Sequence, residues 1–354
     1  MRPVDRLPVW PKIIGSHNHY IKLYASELPR RDLSLRELNE YFGSDELMRL
    51  PDFIDVKRRE CAIREENEPN VRTTVYITPI GETRLVHKYD AGSTSWHPVE
   101  FPVSSLEDIR IMTRFYADAE PEIDEETLRE AVTIVEDRGE TASSMSWVAK
   151  SPLMLFVEQL AGVEDAHYLL ADYPEEVEEL FETIHRNNLR RSEMIADKSP
   201  ADAIYFIENT STSLISPDQF KKYCFRHLEE YGQVITGMDR IYALHMCGHL
   251  KALLPDLAKS SAHVFEAFTS PTLADTRFVD GRGACPDTCL VGGTNAVVWT
   301  WPVDRIIDYI RGELDVLPHH RGIIVTSAGV LPPLSRPETV KRVCEWVRNY
   351  PVRN

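Results

Sequence analysis

The chain has 354 residues, 43% apolar and 27% charged, a balance that suits a soluble globular protein with a sizeable core. Its formal charge of −16, with no basic, aromatic-interleaved stretch, argues against nucleic-acid binding, because phosphate neutralisation needs a basic face. No run approaches the roughly 18 apolar residues of a membrane span, and MRPVDRLPVW is too broken by proline and charge for a signal peptide, so a cytoplasmic location is expected.

The first 100 residues are irregular and are expected to form an N-terminal extension packed on the main fold, which would occupy 101–354. Within the extension, SLRELNEYFGSDELMRL reads as a charged helix. VRTTVYITPIGETRLVHKY carries two β-branched runs about a Pro-Ile-Gly turn and reads as a hairpin. From about residue 140, short apolar strands alternate with amphipathic helices. TASSMSWVA precedes SPLMLFVEQLAG, ADAIYFIEN precedes SPDQFKKYCFRHLEEYGQVI, and RIYALHMCG precedes HLKALLPDLAKS; HVFEAFT, TCLVGGTN and GIIVTSAG follow. At least six βα units predict a (β/α)8 TIM barrel, whose site would lie at the C-terminal strand ends.

One strand end carries the most specific chemistry. In IYALHMCGHL, His245 and Cys247 are two apart on an extended strand and share a face. An imidazole and a thiolate there make half of a zinc site. Glu266, in the next strand HVFEAFT, is an acid within an apolar run and the candidate third ligand, the alternative being a structural ion pair with a nearby lysine or arginine. Other strand ends are polar as well: Glu208, Asn209, Ser211 and Thr212, then Thr294 and Asn295, then Ser327. Glu208, Asn209 and Asn295 are expected to line a substrate pocket with Trp147 and Met145 as apolar walls, against the plain alternative of strand-end hydrogen bonding and core packing.

The six cysteines are scattered without a disulfide framework and are expected as reduced thiols. Cys285 and Cys289 bracket CPDTC on the entry side of a strand and are poor ligand candidates, while Cys224 and Cys344 read as core or helix-face residues. His249 reads as a loop residue. His17 and His19, in SHNHY, could close over the barrel mouth.

LHMCGHLKALLPDL followed by FEAFTSP, LVGGTN and GVLPPLSRPETVKRV resembles the uroporphyrinogen decarboxylase superfamily. SPLMLFVEQLAG with YPEEVEELFETI, IENTSTSLISPDQFKKYC, and TPIGE with SSLEDIR support the likeness, from about residue 70 to 350. That superfamily holds both the decarboxylase and the zinc-dependent methyltransferases of corrinoid systems. The arginine-rich R-Q-A-G-R-Y-type opening of the decarboxylase has no counterpart in VWPKIIGSHNHYIKLY. H-x-C followed by a glutamate on the next strand matches the methyltransferase branch.

That branch implies that His245, Cys247 and Glu266 bind Zn2+ as the catalytic centre. It also implies a small-molecule methyl donor or acceptor and a corrinoid (cobalamin) co-substrate carried by a separate protein; a homodimer is compatible with it. The coenzyme M methyltransferases of the branch place a further zinc-binding cysteine where this chain has Ser327 and Ala328. A centre with one thiolate fewer is more positive, which favours an oxygen-centred leaving group and hence O-demethylation of a methoxylated compound. The alternatives are a metal-free decarboxylase-like lyase and a non-catalytic barrel that binds a small molecule.

Overall fold

A computed structural model describes residues 3–13, 17–91 and 95–354. Eight parallel strands build the expected (β/α)8 barrel: β1 (Val9–Lys12), β2 (Leu47–Arg49), β3 (Ser143–Trp147), β4 (Ala203–Ile207), β5 (Ile241–His245), β6 (Val264–Phe268), β7 (Cys289–Gly293) and β8 (Ile323–Val330). Hydrogen-bonded neighbours run β1-β8-β7-β6-β5-β4-β3-β2, so the seam lies between β1 and β2. The strands are short and apolar because both faces are covered. Outward residues such as Ile204, Phe206, Leu244 and Phe265 join the large core beneath the helices. Inward residues Met145, Ala203, Tyr205 and Ala243 pack together inside the barrel.

One helix borders the barrel mouth, and two others cover the outside of the barrel. α1 (His17–Leu23) comes directly after β1, at the C-terminal face. Tyr20 donates its hydroxyl to the Ser335 carbonyl and Tyr24 to that of Pro333, each at 2.6 Å, which ties this segment to the loop after β8. α2 (Pro174–Lys198) starts with proline and has Glu175 and Glu176 in its first turn, where a fixed φ and negative charge suit a helix N-terminus. α3 (Arg226–Gly237) follows a π-helical turn over Phe220–Phe225.

The opening hundred residues depart from expectation. β1 and β2 lie within them, so a boundary at residue 100 cuts through the barrel rather than beside it. Neither strand has a clear sequence signal: β1 contains Pro11 and β2 has three residues. The stretch expected as one charged helix is also divided. Ser34 and Glu37 form a capping box for a helix over Leu35–Phe42, Gly43 ends it at φ +65°, and Leu47–Arg49 continues as β2. The hairpin forms as expected from Val71–Thr78 and Gly81–Asp90, extended by Ala62–Glu68 and Ser95–Glu100 into a four-stranded antiparallel meander. Tyr76 meets Phe115 edge-on at 5.0 Å and docks the meander on the helix Leu106–Ala117. Among the described residues, no helix is long and apolar enough to cross a membrane.

Candidate active site at the barrel mouth

The alternation of β5 sets the site. Leu244 and Met246 are buried in the helix-side core, so His245 and Cys247 face inward. Register places His245 beside Ile207 of β4 on one side and Glu266 of β6 on the other. Three backbone bonds hold this arrangement: Glu208 and Asn209 donate to the His245 carbonyl at 3.0 and 3.1 Å, and Met246 donates to that of Glu266 at 2.9 Å. Gly248 lets the chain after Cys247 pass the β4 loop, since a Cβ there would stand 2.2 Å from the Ser211 Cβ.

Glu266 is 2% exposed and has two cationic partners. One oxygen meets the His245 Nδ1; the other accepts from the Lys12 ammonium at 2.9 Å. Burial works against charge on both His245 and Glu266, but their mutual attraction outweighs it: the histidine is raised from its ordinary value, with Cys247 assisting and Lys12 opposing, and the glutamate is lowered, with Lys12 assisting. Lys12 also donates to the Ala328 carbonyl at 3.2 Å, and its backbone N–H donates to Ser327 Oγ at 3.1 Å. An ammonium thus stands beside Ser327 and Ala328, where the resembled enzymes carry a thiolate. Lys12 escaped sequence reasoning because Pro11 disguises β1. The signal that picks out Glu266, a charge in an apolar run, is present in VWPK as well.

Local backbone strain collects at the same strand ends. Asn209, Ala267 and Ala328 have left-handed φ values of +52°, +64° and +59°, three of the four such non-glycine residues among those described. Each costs on the order of 1–3 kcal/mol and persists only where surrounding structure holds it, a pattern common at functional sites. Ala267 is the irregular residue between Glu266 and Phe268 in the β6–β7 pairing.

The other candidates divide. Asn209 belongs with the inner group: its amide oxygen accepts from the Cys247 thiol at 3.5 Å and its amide nitrogen donates to Glu158 at 3.1 Å. Trp147 ends β3 with its indole N–H buried and without a hydrogen-bond partner, and the Arg49 guanidinium lies over its ring at 4.6 Å. Met145 lies deeper, in the interior cluster. Glu208 is fully buried, and Ser151 donates to both its oxygens, through the backbone N–H and the hydroxyl. Burial pushes its carboxyl up to about 7. Asn295 is also buried; its oxygen caps the turn at Val298 and its nitrogen donates to the carbonyls of Ser270 and Pro271. Glu208 and Asn295 are thus both held by buried hydrogen bonds to neighbouring loops.

Cys289, Val264, Ala203 and Leu47 line a cavity of about 630 Å³ at the opposite, N-terminal end of the strands. Cys285 is buried beside that end, and Cys224 and Cys344 are core residues. His249 is half-buried and His19 exposed, while the His17 side chain lies outside the described residues. A group of three ligand-type side chains whose donor atoms all lie within 4.8 Å of one another occurs elsewhere, as Glu182, His185 and His227 on α2 and α3. It is a candidate metal cluster in its own right.

A family model described as uroporphyrinogen decarboxylase (URO-D) matches residues 94–350, leaving β1 and β2 outside the matched region. No curated protein matches the sequence significantly. A solved methyltransferase from Methanosarcina mazei has a TM-score of 0.58 at 15% identity, with 98% of this chain and 95% of that one covered. A putative vitamin-B12-independent methionine synthase from Listeria monocytogenes has a TM-score of 0.39 at 13% identity, covering 62% and 68%.

Proposed function

The chain belongs to the uroporphyrinogen decarboxylase (URO-D) family, and from that premise we propose that it is a zinc-dependent methyltransferase moving a methyl group from a small methoxylated compound to a corrinoid delivered by a separate protein. The observation that carries the reading is the contact of His245 with Glu266 at the paired register position, with Cys247 on the same inward face as His245; their three donor atoms are less tightly gathered than those of Glu182, His185 and His227, so a bound metal would draw Cys247 inward. Nitrogen, sulfur and oxygen donors of these types fit zinc, and three protein ligands leave a position open, as catalytic zinc requires. When bound there, zinc supplies a Lewis acid for charge developing on a leaving oxygen.

The chain's own groups prepare the site. Asn209 accepts from the Cys247 thiol before metal binds, and Lys12 balances the charge of Glu266. In the transfer, the Co(I) electron pair of the corrinoid forms the bond to the methyl carbon. The carbon–oxygen bond breaks with its pair on oxygen, and that oxygen takes up one proton; the products are methyl-Co(III) and an alcohol or phenol. The barrel frame contributes orientation and a partly dehydrated mouth.

The metal-free lyase is the second reading, and the Lys12–Glu266 pair favours it, because this carboxylate already has a cationic partner without a metal. Metal analysis separates the two. About one zinc lost on His245→Ala and on Cys247→Ala, together with methylation of cob(I)alamin by a methoxylated aromatic, supports the methyltransferase. Full zinc content in both variants, or stepwise decarboxylation of uroporphyrinogen by the purified chain, overturns it.

A further inference from the structure

α2 and α3 bring two buried histidines and two glutamates together on the outside of the barrel. His185 and His227 are 5% and 1% exposed, and their rings stack with centroids 4.2 Å apart and 21° between planes. His227 Nδ1 donates to the Tyr223 carbonyl at 3.1 Å. A carbonyl only accepts, so the lone pair of the neutral ring sits on Nε2. That Nε2 accepts from Arg226 at 2.8 Å and lies 3.4 Å from Glu182 Oε1. His185 is held the other way round: a carboxylate only accepts, so Nε2 donates to Glu230 Oε2 and Nδ1 accepts from the Tyr231 hydroxyl, both at 2.8 Å, and binding a metal through Nε2 would move the ring proton to Nδ1. Each ring has one nitrogen anchored by a neighbour and the other turned to a carboxylate, the pattern by which an anchored nitrogen orients a metal-binding imidazole.

We propose that Glu182, His185 and His227 form a zinc site that clamps α2 to α3, and that Arg226 is the resident cation an incoming metal displaces. Two imidazoles and a carboxylate are donors zinc accepts. Arg226 contacts both Glu182 and His227, so its guanidinium blocks the approach to both. Its side chain is 54% exposed and can swing into solvent. An open cavity of about 560 Å³, lined by Glu178, Lys222, Arg226 and His227, leads to the cluster.

The test uses the full chain carrying His245→Ala and Cys247→Ala, so that its outcome is independent of the metal reading of the mouth. Calorimetric titration with zinc should show one site per chain. Co2+ in place of zinc should give the visible absorption of nitrogen-containing, low-coordinate cobalt. Glu182→Gln and His227→Gln should each weaken zinc at least tenfold, with folding checked by circular dichroism. Arg226→Gln should tighten zinc at least fivefold, a gain that unfolding cannot imitate. Absence of zinc binding in the parent, unchanged affinity in folded Glu182→Gln, or no gain in Arg226→Gln overturns the proposal.

Discussion

Glu208→Gln tests whether the buried carboxyl held by Ser151 is part of the frame. The side chain is fully buried, and its carboxyl is raised to about 7 chiefly by that burial, with Ser151 and Lys150 only partly offsetting it. A raised acid binds its proton more tightly in the folded state. The stability it contributes is therefore complete below about pH 4.5 and declines as pH rises to about 7. The span corresponds to at most roughly 3.5 kcal/mol at about 1.4 kcal/mol per pH unit. Glutamine keeps the shape, accepts from the Ser151 N–H and donates to its hydroxyl, and never ionises. With an unfolding entropy of about 2.1 cal/mol/K per residue over the whole chain, that energy amounts to roughly 5 °C in Tm. Thermal melts at intervals from pH 5 to 8 should show Glu208→Gln gaining on the wild type as pH rises, up to about that amount, and matching it near pH 5. A difference that is flat with pH, or a variant less stable than wild type at pH 8, refutes the reasoning.

Lys12→Met removes one of the two cations on Glu266 and should cost roughly 3 kcal/mol without metal, at the low end for a broken buried pair because His245 remains. Saturating zinc should recover most of that loss, so the zinc-induced rise in Tm should exceed that of wild type; an equal or smaller rise counts against a metal at Glu266. Trp147→Phe deletes a buried N–H that has no hydrogen-bond partner, so stability should change by less than about 1 kcal/mol, whereas KM for the methyl donor should rise about fivefold if the indole binds it. Steady-state kinetics with unchanged KM would make Trp147 a wall only. Asn209→Gly keeps the left-handed backbone and removes the side chain whose oxygen accepts from the Cys247 thiol. Zinc binding takes that proton away and ends the contact, so the variant should bind zinc at least as tightly as wild type; weaker zinc binding in competition with a chelator would refute this.

The later half of the barrel is legible because its strands are apolar runs of five or more residues separated by amphipathic helices, and the H-x-C spacing then puts His245 and Cys247 on one face whatever the details. β1 and β2 are not legible: four residues with an internal proline and three residues behind a helix carry no periodicity. Lys12 disappeared with β1, and with it the lysine that pairs with Glu266. Glu208 and Asn295 show a different limit. A polar residue at a strand end can face the mouth or be taken up by hydrogen bonds to neighbouring loops, and only tertiary contacts such as Ser151 and the Ser270–Pro271 carbonyls decide which. The π turn before α3 and the stacked His185–His227 pair depend on two helices distant in the chain meeting in register, which spacing along the sequence does not encode.

The pairing of β1 with β8 governs when the mouth can exist during synthesis. Lys12 is 254 residues from Glu266 and 315 from Ser327. An emerging chain therefore holds its first strand unpaired until the last has left the ribosome, and contacts so distant in sequence slow the final closure. Until that moment Glu266 lacks its lysine and β1 its sheet partner, so a nascent or C-terminally truncated chain presents an open strand edge. Such chains should depend on chaperones more than the finished barrel does.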